Sequence, residues 1–193
     1  MADQVTCPEI KDILSENECL ENFGGLGVNV YVFIKSDLAA PLEPEAGKNT
    51  YAALTAASFK RGKGLFKFEC QDGGQGHTWE NLGYRHGFKQ TLDYVLESVN
   101  ANSAYVARGL NNLKCGYIIE DGKTSILVYD KQHDFKYDSG NIKGDTGKKP
   151  EDDRTVTLSG SLSPTTYGRY EIAAPESGWD SLCNGAGTSE GAS

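Results

Sequence analysis

Thr155-Val156-Thr157-Leu158-Ser159-Gly160-Ser161-Leu162 is the stretch that decides the fold. Val156, Leu158 and Leu162 fall on one face, and Thr155, Thr157, Ser159 and Ser161 on the other. A two-residue period with one apolar and one hydroxyl-rich face marks a half-buried antiparallel strand. Upstream, Val28, Val30, Val32 and Ile34 share a face, while Tyr31 and Phe33 make the opposite face partly apolar too. A strand apolar on both sides is central or covered by a neighbour.

Further segments extend this β pattern. Residues 65–71 alternate, with Phe66, Phe68 and Cys70 inward and Lys67 and Glu69 outward, before the turn Asp72-Gly73-Gly74-Gln75-Gly76. Residues 77–99 fit a strand or a helix. The strand reading is preferred because Lys89, Thr91, Asp93 and Glu97 then line one solvent face. Glu120-Asp121-Gly122-Lys123 reads as a hairpin turn between strands 116–119 and 124–129. Phe135 and Tyr137 open another strand, and residues 167–172 form the last.

Helical signals are few. Residues 100–112 form the best internal helix, capped by Asn100 or Asn102, with Val106 and Leu110 one turn apart. Residues 8–20 place Ile10, Ile13 and Leu14 at helical spacing, as a short helix that needs a surface to dock on. The organisation expected is an N-terminal helical arm over 1–22, a β-rich domain over 23–175, and a flexible small-residue tail over 176–193. Long loops at 35–63 and 138–154 interrupt the domain, with a short helix expected within 51–59.

Composition narrows the function. At 193 residues the chain suits one domain with extensions, and 23 glycines point to many turns or close backbone packing. A formal charge of −8 argues against a nucleic-acid-binding surface, which needs clustered Lys and Arg. Cys7, Cys19, Cys70, Cys115 and Cys183 are odd in number and lack C-x-x-C spacing, so no disulfide framework or zinc knuckle is read and free thiols are expected. The N-terminus lacks the basic and apolar regions of a secretory leader, and the longest apolar run, 28–34, is far short of the roughly 20 residues of a membrane span.

Candidate chemistry is sparse. Cys70, His77 and His86 lack the tight pairing of a metal site, and cysteine on an apolar strand face reads as a small hydrophobe rather than a nucleophile. Asp145 with Glu151, Asp152 and Asp153 does not match a calcium loop. Trp79 and Tyr84 read as rim residues of the core, with sugar stacking as the functional alternative. No catalytic, cofactor or metal residue is assigned. The loop 35–63 carries Leu38, Leu42, Tyr51, Leu54 and Phe59 beside Lys60, Arg61 and Lys63. Apolar residues on a long loop seek a partner surface, so these residues are the expected inter-subunit contacts.

The order of features resembles bacteriophage tail tube proteins, and the tube proteins of type VI secretion are similar in the same respects. The likeness is carried by residues 27–34, 65–71, 100–112, 155–162 and 167–172. It implies a mainly β, antiparallel sandwich or barrel-like tube fold with one mid-chain helix and a short N-terminal helix. It further implies a non-enzymatic virion protein, made in the host bacterial cytoplasm, whose hexameric rings stack into a tail tube. Its partners would be further copies of itself and other tail proteins (tape measure, terminator and baseplate), with no membrane and no specific hold on the DNA that passes. A head decoration or head–tail joining protein, and a carbohydrate-binding β-sandwich, are the alternatives.

Overall fold

The computed structural model describes residues 26–96, 99–121, 124–149 and 154–183. The expected N-terminal arm over 1–22, with Cys7 and Cys19, and the last ten residues of the tail lie outside them. The chain is mainly β, with two antiparallel-rich sheets packed as a sandwich and one α-helix. In chain order the strands are β1 (Asn29–Ile34), β2 (Thr50–Tyr51), β3 (Phe66–Glu69), β4 (Gly76–Asn81) and β5 (Phe88–Leu96). Helix α1 (Ala101–Asn112) follows, then β6 (Cys115–Asp121), β7 (Thr124–Val128), β8 (Ile142–Asp145), β9 (Thr155–Thr165) and β10 (Tyr170–Ile172). One sheet has the order β2-β10-β7-β6-β1-β3 and the other β4-β5-β9-β8; β10 and β2 are the parallel pair.

Alternation along β1 explains the layering. Val30 and Val32 enter a first core with Leu92, Tyr94, Leu158 and Leu162 of the four-stranded sheet. Tyr31 and Phe33 point the other way, into a second core with Leu54, Leu65 and Trp179. The six-stranded sheet is therefore the middle of three layers, covered on its far side by irregular chain from the 35–65 excursion and the C-terminal segment. Each fully buried Leu, Ile, Val or Phe is worth about 1.5–3 kcal/mol relative to exposure. Inside the first core the Tyr94 and Tyr137 hydroxyls lie 2.6 Å apart and those of Tyr117 and Tyr137 2.7 Å apart, so the buried phenols satisfy one another.

Helix α1 starts where the sequence places it. Asn100 is extended and accepts from the Ser103 amide at 2.9 Å, while the Ser103 hydroxyl accepts from the Asn100 amide at 2.8 Å. The strand reading of 77–99 also holds, as β4 and β5, with Gln90, Leu92 and Tyr94 buried on alternate positions.

Other expectations are corrected. The tail does not begin at 176: Trp179–Leu182 forms a 3₁₀ turn, Trp179 is 2% exposed, and its indole N–H donates to Ser125 Oγ at 3.0 Å. The small residues that follow masked one large aromatic able to fill the second core. The charged loop 138–154 contains β8, an edge strand whose Ile-Lys-Gly-Asp sequence buries too little for alternation to show. The strand expected at Phe135 and Tyr137 reduces to a single bridge between Lys136 and Ser161. Within 51–59 the chain makes only a 3₁₀ turn, Ala56–Ser58, closed by Thr55 and Ser58. Phe66 keeps the inward phase expected of it, on the face of its cross-strand partner Val32, but is 40% exposed because β3 lies at the rim of its sheet.

Candidate assembly surfaces

The four-stranded sheet sends Leu92, Tyr94, Val156, Leu158 and Leu162 into the first core. Period-two geometry turns the intervening residues outward. Cross-strand partners on that outer face are Thr78 with Thr91, Thr91 with Ser161, Asp93 with Ser159, and Lys143 with Thr157. Among the described residues, Lys89 Nζ meets Glu80 Oε1 at 3.4 Å across β4 and β5. The result is a broad, hydroxyl-rich face with sparse charges of both signs, suited to contact with water rather than to gripping a ligand.

This sheet also has two open sides. β4 and β8 are its outer strands, and neither has a strand partner beyond it among the described residues. β4 reads Gly-His-Thr-Trp-Glu-Asn, without the lysine or proline that commonly blunts an edge. Such an edge is a template for pairing with another chain.

The expected contacts separate into two groups. Leu38, Tyr51, Leu54 and Phe59 are buried in the second core, and Leu42 packs against it. The apolar demand of the excursion is met inside its own chain, so these side chains are not presented to a neighbour. Leu38 bridges to Phe59, and Lys60 N donates to Asp37 O at 2.8 Å, folding the excursion flat across the sheet. Lys60, Arg61 and Lys63 remain exposed at one corner, with Lys60 Nζ donating to Ser36 O and Lys63 beside Asp37. Replacing 41–55 by a short Gly/Ser linker removes Tyr51 and Leu54. The expected loss is at least that of a buried leucine, about 2–5 kcal/mol, read as a lowered denaturant midpoint.

Reactive groups are dispersed. Cys70 Sγ donates to Phe68 O at 3.8 Å, and burial pushes both the Cys70 and Cys115 thiols up to about 11. A nucleophilic cysteine needs the opposite shift. Burial lowers His77, which sits 3.4 Å from Gln90 Oε1, while His86 is exposed at the β4–β5 turn. His133 gives its carbonyl to Lys35 Nζ at 2.9 Å. Cys70, Cys115 and Cys183 are free thiols. Among the described residues no cluster of three His, Cys, Asp or Glu side chains comes together as metal ligands.

Lys35 Nζ also reaches Asp134 Oδ1 at 2.8 Å, and Lys114 Nζ reaches Asp134 Oδ2 at 2.7 Å. Burial alone would raise Asp134, but the two ammonium groups outweigh it and hold the carboxyl below its ordinary value. A depressed carboxylate stabilises the fold above its unfolded pKa, roughly 3.9, and the gain is lost as pH falls through the lower folded value. Asp134→Asn is therefore expected to cost on the order of 1 kcal/mol at neutral pH. That difference from the parent should shrink below about pH 4, as followed by urea unfolding at several pH values.

Trp79 and Tyr84 are not rim residues of the core. Trp79 is 56% exposed and Tyr84 83% exposed. Trp79 takes the inward phase of β4 opposite Gln90, but at this open edge its ring lies over the Gly168 backbone and edge-on to Phe88, 5.6 Å between centroids. Tyr84 stands on the β4–β5 turn, where Arg85 adopts φ 64°. Strand alternation gives a residue's phase but not whether the opposing layer extends far enough to cover it.

No protein-family model matches the chain, and neither a curated protein nor a solved structure does so.

Proposed function

We propose that the chain is a structural, non-enzymatic subunit of a phage-type tail tube, located in the virion tail. The observation that carries this reading is the four-stranded sheet, with its hydroxyl-rich outer face and two outer strands that have no further strand partner among the described residues. Pairing the β4 edge of one copy with the β8 edge of the next is a head-to-tail contact, which closes into a ring when the rotation permits. Six copies is the number the resemblance implies. Rings joined in this way turn the polar faces toward a wet pore, and the net charge of −8 disfavours adhesion of DNA phosphates. Stacked rings then form a conduit that meets tape measure, terminator and baseplate proteins at its ends.

Electron microscopy of the purified protein at high concentration tests the reading, with hollow rings or tubes as the expected result. A strict monomer by light scattering across a wide concentration range overturns it. Proline placed singly at positions 142–145 supplies the finer test. Where the replaced N–H faces the open side, the variant should stay folded yet build no rings.

The exposure of Trp79 and Tyr84 favours a second reading, a carbohydrate-binding sandwich. It requires glycan binding that disappears in Trp79→Ala and Tyr84→Ala, and failure to bind any member of a broad glycan array removes it.

A further inference from the structure

Seven large apolar side chains stand exposed among the described residues, and six of them fall into two groups. Phe66, Tyr105 and Leu113 surround a groove of about 180 Å³ between β3 and α1, floored by Val32, Ile34 and Cys115. Gly109 opens a notch in the helix wall, with the nearest side-chain atom 3.9 Å from where its Cβ would stand. An apolar hollow of about 150 Å³ takes one benzene-sized molecule, so the groove has room for a single aromatic side chain. The second group, Trp79, Leu82 and Tyr84, projects at β4 and the β4–β5 turn. That turn is braced. Leu82 N donates to Gly87 O at 2.9 Å and His86 N to Gly83 O at 3.2 Å. A Cβ on Gly87 would stand 2.5 Å from Thr165 O, so the turn lies close against β9. The Arg85 guanidinium sits 5.0 Å from the centroid of the Tyr84 phenol, which is 83% exposed. A phenol held out on a braced turn loses little freedom on binding, and tyrosine is among the residues that dominate interfaces.

We infer that the Tyr84 phenol of one copy seats in the β3–α1 groove of the next, which deepens the self-assembly reading above and rests on it. The turn does not reach the groove of its own chain. Trp79 lies over Gly168, just before β10, and β10 and β3 are separated by β7, β6 and β1. That is four strand spacings, roughly 19 Å. The direction agrees with the pairing of β4 to β8. The turn extends from the β4 side of the sandwich, while α1 borders β8 on the opposite side, where Ala107 and Asn111 share a hollow with Ile142. Two different patches of one chain meet, so the contact is head-to-tail. The areas fit as well. Tyr84, Tyr105 and Trp79 together leave roughly 300–500 Å² of aromatic surface open. That supplies the apolar centre of an interface of about 1,200–2,000 Å², whose rim is polar.

Tyr84→p-benzoylphenylalanine in the full-length chain, irradiated as a mixture of light and isotope-labelled copies and mapped by mass spectrometry, tests the contact. Adducts joining two copies at residues 66–68 or 105–113 are expected. Adducts to other surfaces only, adducts within one chain only, or no adduct overturn it. Sedimentation supplies a second arm with Tyr84→Ala, which lacks the phenol, and Gly109→Phe, which fills the groove from within; neither position is buried. Each variant alone should self-associate about thirtyfold more weakly than the parent, as for the loss of an interface hot spot. Their equimolar mixture should regain the parent's affinity in dimers, because it holds one free phenol and one free groove per pair. A mixture no tighter than its components overturns the inference. If the parent builds rings and Tyr84→Ala builds them equally well, the phenol-in-groove contact is wrong and the tube reading stands. If the parent couples through this contact into open chains without rings, the contact stands and the tube reading falls.

Discussion

Trp179→Ala lowers stability by about 3–5 kcal/mol, the largest single-site loss expected in the chain. The indole is 2% exposed, packs 6.1 Å from the Tyr31 ring between centroids, and donates to Ser125 Oγ. Truncation leaves a cavity on the outer face of the middle sheet and an unpaired hydroxyl on β7. A chain ending at Pro175 should lose at least as much, because it also lacks the Leu182 carbonyl that accepts from Leu65 N at 2.8 Å. Denaturant unfolding of the three proteins checks both statements. A midpoint for Trp179→Ala equal to the parent's would show that the second core does not depend on this residue.

The second large effect is expected at Gly160, on β9. A Cβ there would stand 2.3 Å from Phe135 Cε1, 2.5 Å from its Cζ and 2.9 Å from Lys136 O. The ring lies on the bare backbone and also packs 4.5 Å from Tyr117 and 5.2 Å from Tyr137, by centroids, in the first core. Gly160→Ala should cost about 1–3 kcal/mol, at the upper end because one obstacle is backbone. In a Phe135→Ala background the same change should cost less, so a double-mutant cycle isolates the ring contact. Equal costs in the two backgrounds would remove the ring as the cause.

Gly160 also shows what was legible in the sequence. It occupies an inward position between Leu158 and Leu162, and strand alternation passed over it without the fold reading failing. Alternation located β1, β5 and β9 because each buries a row of mostly apolar residues, and Asn100 announced α1 by cap chemistry. The same signal could not find β8, which buries almost nothing, or dock Trp179, whose partner Ser125 lies 54 positions away. The excursion was the sharpest divergence. Its apolar residues were read correctly as needing a surface, but composition does not say whether that surface is another subunit or the chain's own middle sheet. The open β4 edge and the groove beside α1 were equally hidden, since both depend on which layers fail to reach.

The placement of Trp179 and Ile172 opposite Tyr31 and Phe33 has a consequence for how the chain is made. Ribosomes add about 5–20 residues per second, so roughly 7–30 s separate the synthesis of Tyr31 from that of Trp179. Through that interval β1 lacks the aromatic that closes its outer face. The β4 and β8 edges are synthesised within that interval, before the second core can close. On the tube reading proposed above, ring assembly therefore waits for Trp179 to be made, and chains terminated before it would lack the closed scaffold that the paired edges need.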